Sequence, residues 1–348
     1  MSISSSFASP NPADVLEELL AGGDIGAERA RRLGDAMMDG GLTPIQIGAV
    51  LALWRAKGET VAELVGLVGS MLDHCVTVEL PMDAVDTCGT GGDRHGTFNI
   101  STVAALVVAG AGLPVAKHGN RAASSRCGSA DVLEKLGVVI DLPPAGVAEC
   151  VAEAGMGFMF ALVYHPAMRH VAAPRSELGI RTVFNVLGPL ANPAAVPYQA
   201  LGVGDPALAV KMAGVLAGLG RRRALVFSGP DGLDELGLSG PSLGWDVSPG
   251  RTVEIEVDPA RLGLAVAPMA ALRGGDASAN AATVRRVVQG ELGPMTDVVV
   301  LNAAAALVAG ERAADFPQGL EMARASLGSG AAATVLDRLI AVSQKLRP

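Results

Sequence analysis

The chain has 348 residues, half of them apolar but only 3% aromatic, which is enough for a full core and for two domains. Its formal net charge of −8 withholds the footprint expected of a general nucleic-acid binder, and so much Ala, Val, Leu and Gly is not the make-up of a disordered chain. Cys75, Cys88, Cys127 and Cys150 form no CxxC pair and read as reduced thiols, while His165 and His170 are five apart, the wrong spacing for two ligands on one helical face.

Met1 to Pro10 has no basic segment followed by an apolar one, so no signal peptide is expected. The first seventy or so residues read as helices only. Asn11-Pro12 and Thr43-Pro44 each place an N-cap before a proline at the first helical position, and Thr60 with Glu63 makes a capping box. Leu64, Leu67, Val68, Met71 and Leu72 then recur at helical spacing.

After Pro81 short apolar strands alternate with helices: Ala84 to Thr87, a helix from about Thr102, Leu113 to Ala116, and a helix from Ala130. Further strands are expected near Gly157 to Ala161, Gln199 to Val203 and Ala224 to Phe227, with a helix from Pro206 to Leu219. The alternation predicts an α/β domain with a largely parallel sheet flanked by helices. Thr252 to Val257 alternates between apolar and polar, as an edge or antiparallel strand does, and the tail from about Ala277 returns to helices. The longest apolar run, Val103 to Ala116, is too short to span a bilayer and contains Pro114, so a soluble cytosolic protein with no membrane or nucleic-acid partner is expected.

Three segments carry chemistry. Gly89-Thr90-Gly91-Gly92-Asp93 lies between a strand and a helix, where backbone N–H groups can approach an anion. It is neither a P-loop, for no Lys follows, nor GxGxxG, for Arg94 takes the place of the last Gly; plain turn chemistry would use the same glycines. Thr97-Phe98-Asn99-Ile100-Ser101-Thr102 then brings an amide and three hydroxyls to a loop-to-helix junction, more than capping by Ser101 needs. Lys117-His118-Gly119-Asn120-Arg121 follows an apolar strand, with Ser124-Ser125-Arg126 just after. Cations at the carboxyl end of a parallel strand face the crevice where α/β proteins bind ligands.

Taken in this order, the Gly89–Asp93, Thr97–Thr102 and Lys117–Ser125 segments resemble the three phosphoribosyl-pyrophosphate motifs of the anthranilate phosphoribosyltransferase family. The segments Glu177 to Pro193 and Asp231 to Glu235, with Asn302 in the C-terminal helices, are similar to further family blocks. The resemblance implies a small helical domain, residues 1–80 with helices from about 168–190, that pairs in a homodimer. It implies a large α/β donor-binding domain over 81–167 and 191–348, and an active site in the cleft between the two. The reaction implied is transfer of ribose 5-phosphate from phosphoribosyl pyrophosphate (PRPP) to the amine of anthranilate, in tryptophan biosynthesis.

By the same resemblance the donor is contacted by Gly89, Gly92, Asp93, Thr97, Asn99, Ile100, Ser101 and Thr102. Lys117, His118, Gly119, Asn120, Arg121, Ala122, Ala123, Ser124, Ser125 and Ser129 complete that set. Lys117 and Arg121 would offset phosphate charge. Gly89, Asn120 and Arg175 are implied for anthranilate, whose carboxylate suits a guanidinium; from the residues alone Arg175 is an ordinary member of a Pro166 to Leu178 helix. Ser101, Asp234 and Glu235 are implied for Mg2+, a hard cation held by oxygen, although an acidic pair in a Gly-containing loop also reads as a solvated turn. His118 suits either an acceptor channel or a structural role. No single general base is assigned, and the amine's proton has solvent, a carboxylate or the leaving group as acceptor.

Two stretches depart from the family pattern: Arg94-His95-Gly96 stands where a Gly, a variable residue and an Asn are usual, and Ser228-Gly229-Pro230 where His-Gly is frequent. A pyrimidine-nucleoside phosphorylase shares the fold, but the Lys117 strand and the Asp234-Glu235 pair argue for the transferase. A non-catalytic nucleic-acid-binding paralogue is opposed by the acidic charge.

Overall fold

The structure is a computed structural model that describes residues 11–122 and 126–347. The chain divides into two compact units: one holds the N-terminal helices to Cys75 and returns for His165–Ala191, the other is Val76–Tyr164 with Asn192 onward.

The first unit opens with α1 (Pro12–Leu20), α2 (Gly26–Met38), α3 (Pro44–Lys57) and α4 (Val61–Asp73). Asn11 caps α1 by accepting from the Ala13 amide, and both Thr43/Gln46 and Thr60/Glu63 form complete capping boxes. Each such cap contributes about 1 kcal/mol. Glu63 is fully buried, where it also accepts from the Ile25 amide at 3.2 Å and from Lys57 at 2.9 Å. A buried carboxylate with that many donors is a structural tie between α2 and α4.

The second unit begins with β1 (Val85–Gly89), α5 (Ile100–Gly110), β2 (Val115–Gly119), α6 (Ser129–Leu136), α7 (Pro144–Ala154), β3 (Met156–Phe160) and the one-turn α8 (Ala161–Tyr164). The chain then revisits the first unit with α9 (Arg169–Leu178) and α10 (Phe184–Leu187). Back in the second unit come β4 (Tyr198–Gly202), α11 (Pro206–Gly218), β5 (Arg223–Ser228), β6 (Ser242–Ser248) and β7 (Arg251–Val257). The C-terminal helices are α12 (Ala277–Val288), α13 (Pro294–Ala309), α14 (Phe316–Gly328) and α15 (Ala331–Lys345).

The sheet order is β3-β2-β1-β4-β5-β6-β7, parallel through β5 and antiparallel at β6 and β7. Helices α5 and α13 are apolar nearly all round because they lie in the core rather than on its rim. Among the described residues no single helix is long and apolar enough to cross a membrane.

Several boundaries differ from the sequence expectations. The strands β1 and β2 run on through Gly89 and Gly119, so Cys88-Gly89 and Lys117-His118-Gly119 belong to strands rather than to the turns after them. Main-chain pairing to β4 and β3 extends them. Helix α5 starts at Ile100, with Asn99 at the cap and no side-chain cap bond, so Ser101 is an inner residue of the first turn and not its cap. Strand β6 was not expected; its Gly, Asp and Ser break the apolar pattern, and it forms because β7 and β5 pair on either side of it.

Candidate active site

Strand order reverses between β1 and β4, which pair in register from Val85↔Tyr198 to Gly89↔Gly202. Parallel sheets bind ligands beyond the carboxyl ends of strands at such a point. Both strands end there on glycine for a steric reason. A Cβ on Gly89 would lie 2.4 Å from Asp234 Oδ2, and one on Gly202 would lie 1.9 Å from the Asp234 carbonyl oxygen. The loop after β5 can therefore lie across both strand ends only while neither carries a side chain.

That loop is held from three directions. The Gly91 amide donates to Asp234 Oδ2 at 2.6 Å, and the Ser101 amide, in the first turn of α5, donates to Glu235 Oε1 at 3.1 Å. Behind the pair, Asn302 of α13 accepts from the Leu236 amide at 3.0 Å and donates to the Leu236 carbonyl at 2.9 Å. Asp234 and Glu235 are accordingly buried, at 9% and 7% exposure, so the solvated-turn reading of this pair is overturned.

Burial raises the pKa of both carboxyls well above the usual range, and their negative neighbours push the same way: Asp93 acts on Asp234, and Asp234 on Glu235. Lys117 opposes the shift at Glu235. Lys117 is 2% exposed, and its ammonium donates to the Thr87 carbonyl and, at 3.3 Å, to Ser101 Oγ. Asp86, one residue before Thr87, is fully buried; it accepts from the His118 amide at 3.3 Å and from Asn192 Nδ2 at 2.8 Å. Burial raises its carboxyl too, with Lys117 as the largest opposing influence.

The other residues expected at the donor site are placed as follows. Gly91 and Gly92 have φ of +71° and +75°, a left-handed backbone that glycine adopts without strain. Thr97 bridges to Arg273, while Ile100 and Thr102 are buried. Asn99 donates to the Cys127 carbonyl at 3.1 Å and accepts from Asn280 at 2.9 Å, which ties the α5 junction to the loop after β2 and to α12. In the first turn of α6, Asp131 accepts from the amides of Ala122 and Gly128 in that loop at 3.0 and 2.8 Å. Gly119 faces Ser129, whose Oγ would sit 2.2 Å from an added Cβ and donates to the Asn120 carbonyl at 3.3 Å. His118 is buried at 7% exposure.

Arg121 is engaged elsewhere: its guanidinium donates to Asp131 at 3.0 Å and to Glu134 at 2.8 Å, and lies over the Phe160 ring at 5.5 Å. Ala123, Ser124 and Ser125 lie outside the described residues. Arg175 belongs to α9 of the first unit, where its guanidinium stands over the Phe184 ring at 5.6 Å.

Sequence reasoning gave no role to Asp86 or to Asn192, although Asn192 lies in the Glu177 to Pro193 block, and it missed Asn280. Asp86 sits inside an apolar strand just before the Gly turn, and a charge in so buried a position is a signal; Asn280, in the distant α12, offers none.

Among the described residues no group of three or more His, Cys, Asp or Glu side chains is arranged to hold a metal ion. Two buried oxygen-only ligands with raised pKa values still fit a hard cation that takes its other oxygens from phosphate and water. A third carboxylate oxygen, Asp93 Oδ2, is buried beside them.

Family models match both parts of the chain: the glycosyl transferase family helical bundle domain over residues 13–75 and the glycosyl transferase family a/b domain over 81–333. An anthranilate phosphoribosyltransferase of Roseiflexus sp. (strain RS-1) is 55% identical over 95% of this chain and 98% of its own length. That of Thermomicrobium roseum is 52% identical over 95% and 97%. Among solved structures, anthranilate phosphoribosyltransferase from Thermus thermophilus superposes with a TM-score of 0.90 at 42% identity, covering 95% of this chain and 99% of that one. The Saccharomyces cerevisiae enzyme in complex with PRPP and Mg gives a TM-score of 0.89 at 25% identity, covering 97% and 99%.

Proposed function

The chain belongs to the anthranilate phosphoribosyltransferase family, and we propose that the residues gathered at the carboxyl ends of β1, β2 and β4 bind its donor. It transfers the phosphoribosyl group of PRPP to the amine of anthranilate, releasing pyrophosphate, as a step of tryptophan biosynthesis. The observation that carries the site reading is the buried set of Lys117, Asp234 and Glu235 joined to the Gly91 and Ser101 amides. It combines phosphate-binding donors with carboxylates that need a cation.

In this reading Gly89, Gly92 and Asp93 of the glycine-rich turn, with the hydroxyls of Ser101 and Thr102, contact the donor. Lys117, already desolvated, offsets the donor's charge more strongly than a hydrated lysine would. Asp234 and Glu235, with Ser101, hold Mg2+, which supplies positive charge to the pyrophosphate as it departs. Asn120 and Gly89 face the acceptor, and Arg175 pairs with the anthranilate carboxylate. Attack comes from the amine on the face of the ribose opposite the leaving group. Among the described residues no nucleophile–base pair is set to act on the sugar, so catalysis rests on positioning and on charge stabilisation.

Pairing of two copies through the helical unit and residence in the cytosol complete the reading. The test of the reaction is loss of anthranilate fluorescence on addition of PRPP and Mg2+. Loss matched mole for mole by pyrophosphate release is expected; an unchanged signal under every metal and donor condition would refute it.

A further inference from the structure

We propose that His95 is a positioning residue that latches the glycine-rich donor loop to the turn carrying Asp234 and Glu235. The proposal rests on the reading of those two segments as the donor and metal site. His95 stands between Arg94 and Gly96, the two positions at which this stretch departs from its family's pattern, and its side chain has a defined partner: ring Nε2 lies 2.9 Å from the Asp231 carbonyl oxygen. A carbonyl only accepts, so the ring donates through Nε2–H. The His95 amide in turn donates to Asp93 Oδ1 at 3.1 Å, so the residue that holds Asp231 also orients the carboxylate facing Asp234.

Backbone conformation on both sides of the contact favours a selected geometry. Arg94 and Asp231 have φ of +65° and +58°, a left-handed backbone that L-residues rarely adopt. Strain of this kind persists where surrounding contacts determine it. Here the His95–Asp231 bond joins the two strained turns to each other.

Movement of the Asp231 carbonyl is passed on to the acidic pair because the intervening turn is short and closed. The Gly229 amide donates to the Leu233 carbonyl at 2.9 Å, the Leu233 amide donates to the Pro230 carbonyl at 3.2 Å, and the Leu233 side chain is fully buried. On the other side the donor loop is pinned at its ends, by Thr90 donating to the Gly202 carbonyl at 2.9 Å and by Gly96 accepting from Gly274 at 2.8 Å. His95 secures the span between these pins.

The test is steady-state kinetics of the full chain as wild type, His95→Ala and His95→Gln, with thermal melting of each. The Ala variant is expected to raise the KM for PRPP and the half-saturating Mg2+ concentration by roughly tenfold, the value of one hydrogen bond. The KM for anthranilate, kcat and the melting temperature should stay near wild type, and the Gln variant, whose amide can donate to Asp231, should recover most of the loss. A wild-type PRPP constant in His95→Ala overturns the latch, as does an equal defect in every constant or in the Gln variant. A wild-type chain that transfers nothing in the same assay removes the underlying site reading, which the variants alone would not.

Discussion

The Gly91 amide and Asp234 Oδ2 are 2.6 Å apart although 143 residues separate them in the chain, and the bond closes the glycine-rich turn onto the acidic loop. Gly89 makes the approach sterically permissible, since a Cβ there would come within 2.4 Å of that same oxygen. Gly89→Ala should therefore displace the Asp234 carboxylate while leaving the sheet intact. We expect kcat/KM for PRPP to fall by more than about tenfold, the cost of at least one charge-assisted hydrogen bond. Circular dichroism should be unchanged, and wild-type kinetics would show that Asp234 need not stand where it does.

Lys117→Met keeps much of the side-chain volume and removes the ammonium from a site where it is almost fully buried. The Thr87 carbonyl and Ser101 Oγ lose their donor, and Glu235 loses the cation that opposes its raised pKa. A drop of roughly 100-fold in kcat/KM for PRPP is expected, from loss of a desolvated charge facing phosphate. Initial rates at varied PRPP check it; a loss confined to anthranilate would place Lys117 at the wrong substrate.

Arg175→Ala separates the substrates. Its proposed partner is a carboxylate on the acceptor, so the KM for anthranilate should rise about tenfold or more while donor binding, measured by titration calorimetry, is unaltered. Unchanged acceptor KM and turnover would remove that role.

His165 offers a pH prediction in the first unit. Burial lowers its pKa to about 4, against a backbone bond in which Nε2 meets the Ala191 carbonyl at 3.0 Å. An unfolded histidine titrates near about 6.5. Between these values the unfolded chain binds the proton and the folded one does not. The stability from His165 is therefore complete above about pH 6.5 and is lost as pH falls toward 4, by up to about 1.4 kcal/mol per pH unit. Urea unfolding from pH 7.5 to 5 should show wild type losing about 2 kcal/mol more than His165→Gln; parallel curves would contradict this.

The sequence reading reached the elements whose signals are local. The Asn11, Thr43 and Thr60 caps, the parallel strands and the α/β alternation all follow from residues within a few positions of one another. Strand ends were shorter than observed because Gly89 and Gly119 read as turn formers, whereas ladder pairing to β4 and β3 retains them. The site was legible as three motifs, but not as a geometry. Nothing near Asp234 announces that it is buried, since its burial comes from Gly89, Gly202 and Asn302, brought together only by the sheet. Arg121 is the opposite case: a cation that reads as a phosphate ligand is held by Asp131 and Glu134, ten and thirteen residues on.

The central claim, that the buried acidic pair holds the cation serving the donor's pyrophosphate, is tested most directly by the Mg2+ dependence of transfer in the Asp234→Asn/Glu235→Gln double variant. The variant should fold, because both replacements are near-isosteric and relieve repulsion between carboxyls that burial already disfavours as anions. Its activity should fall by at least about 100-fold, the scale of losing two charged ligands, and should no longer saturate with Mg2+. A wild-type Mg2+ curve in the double variant would contradict the account.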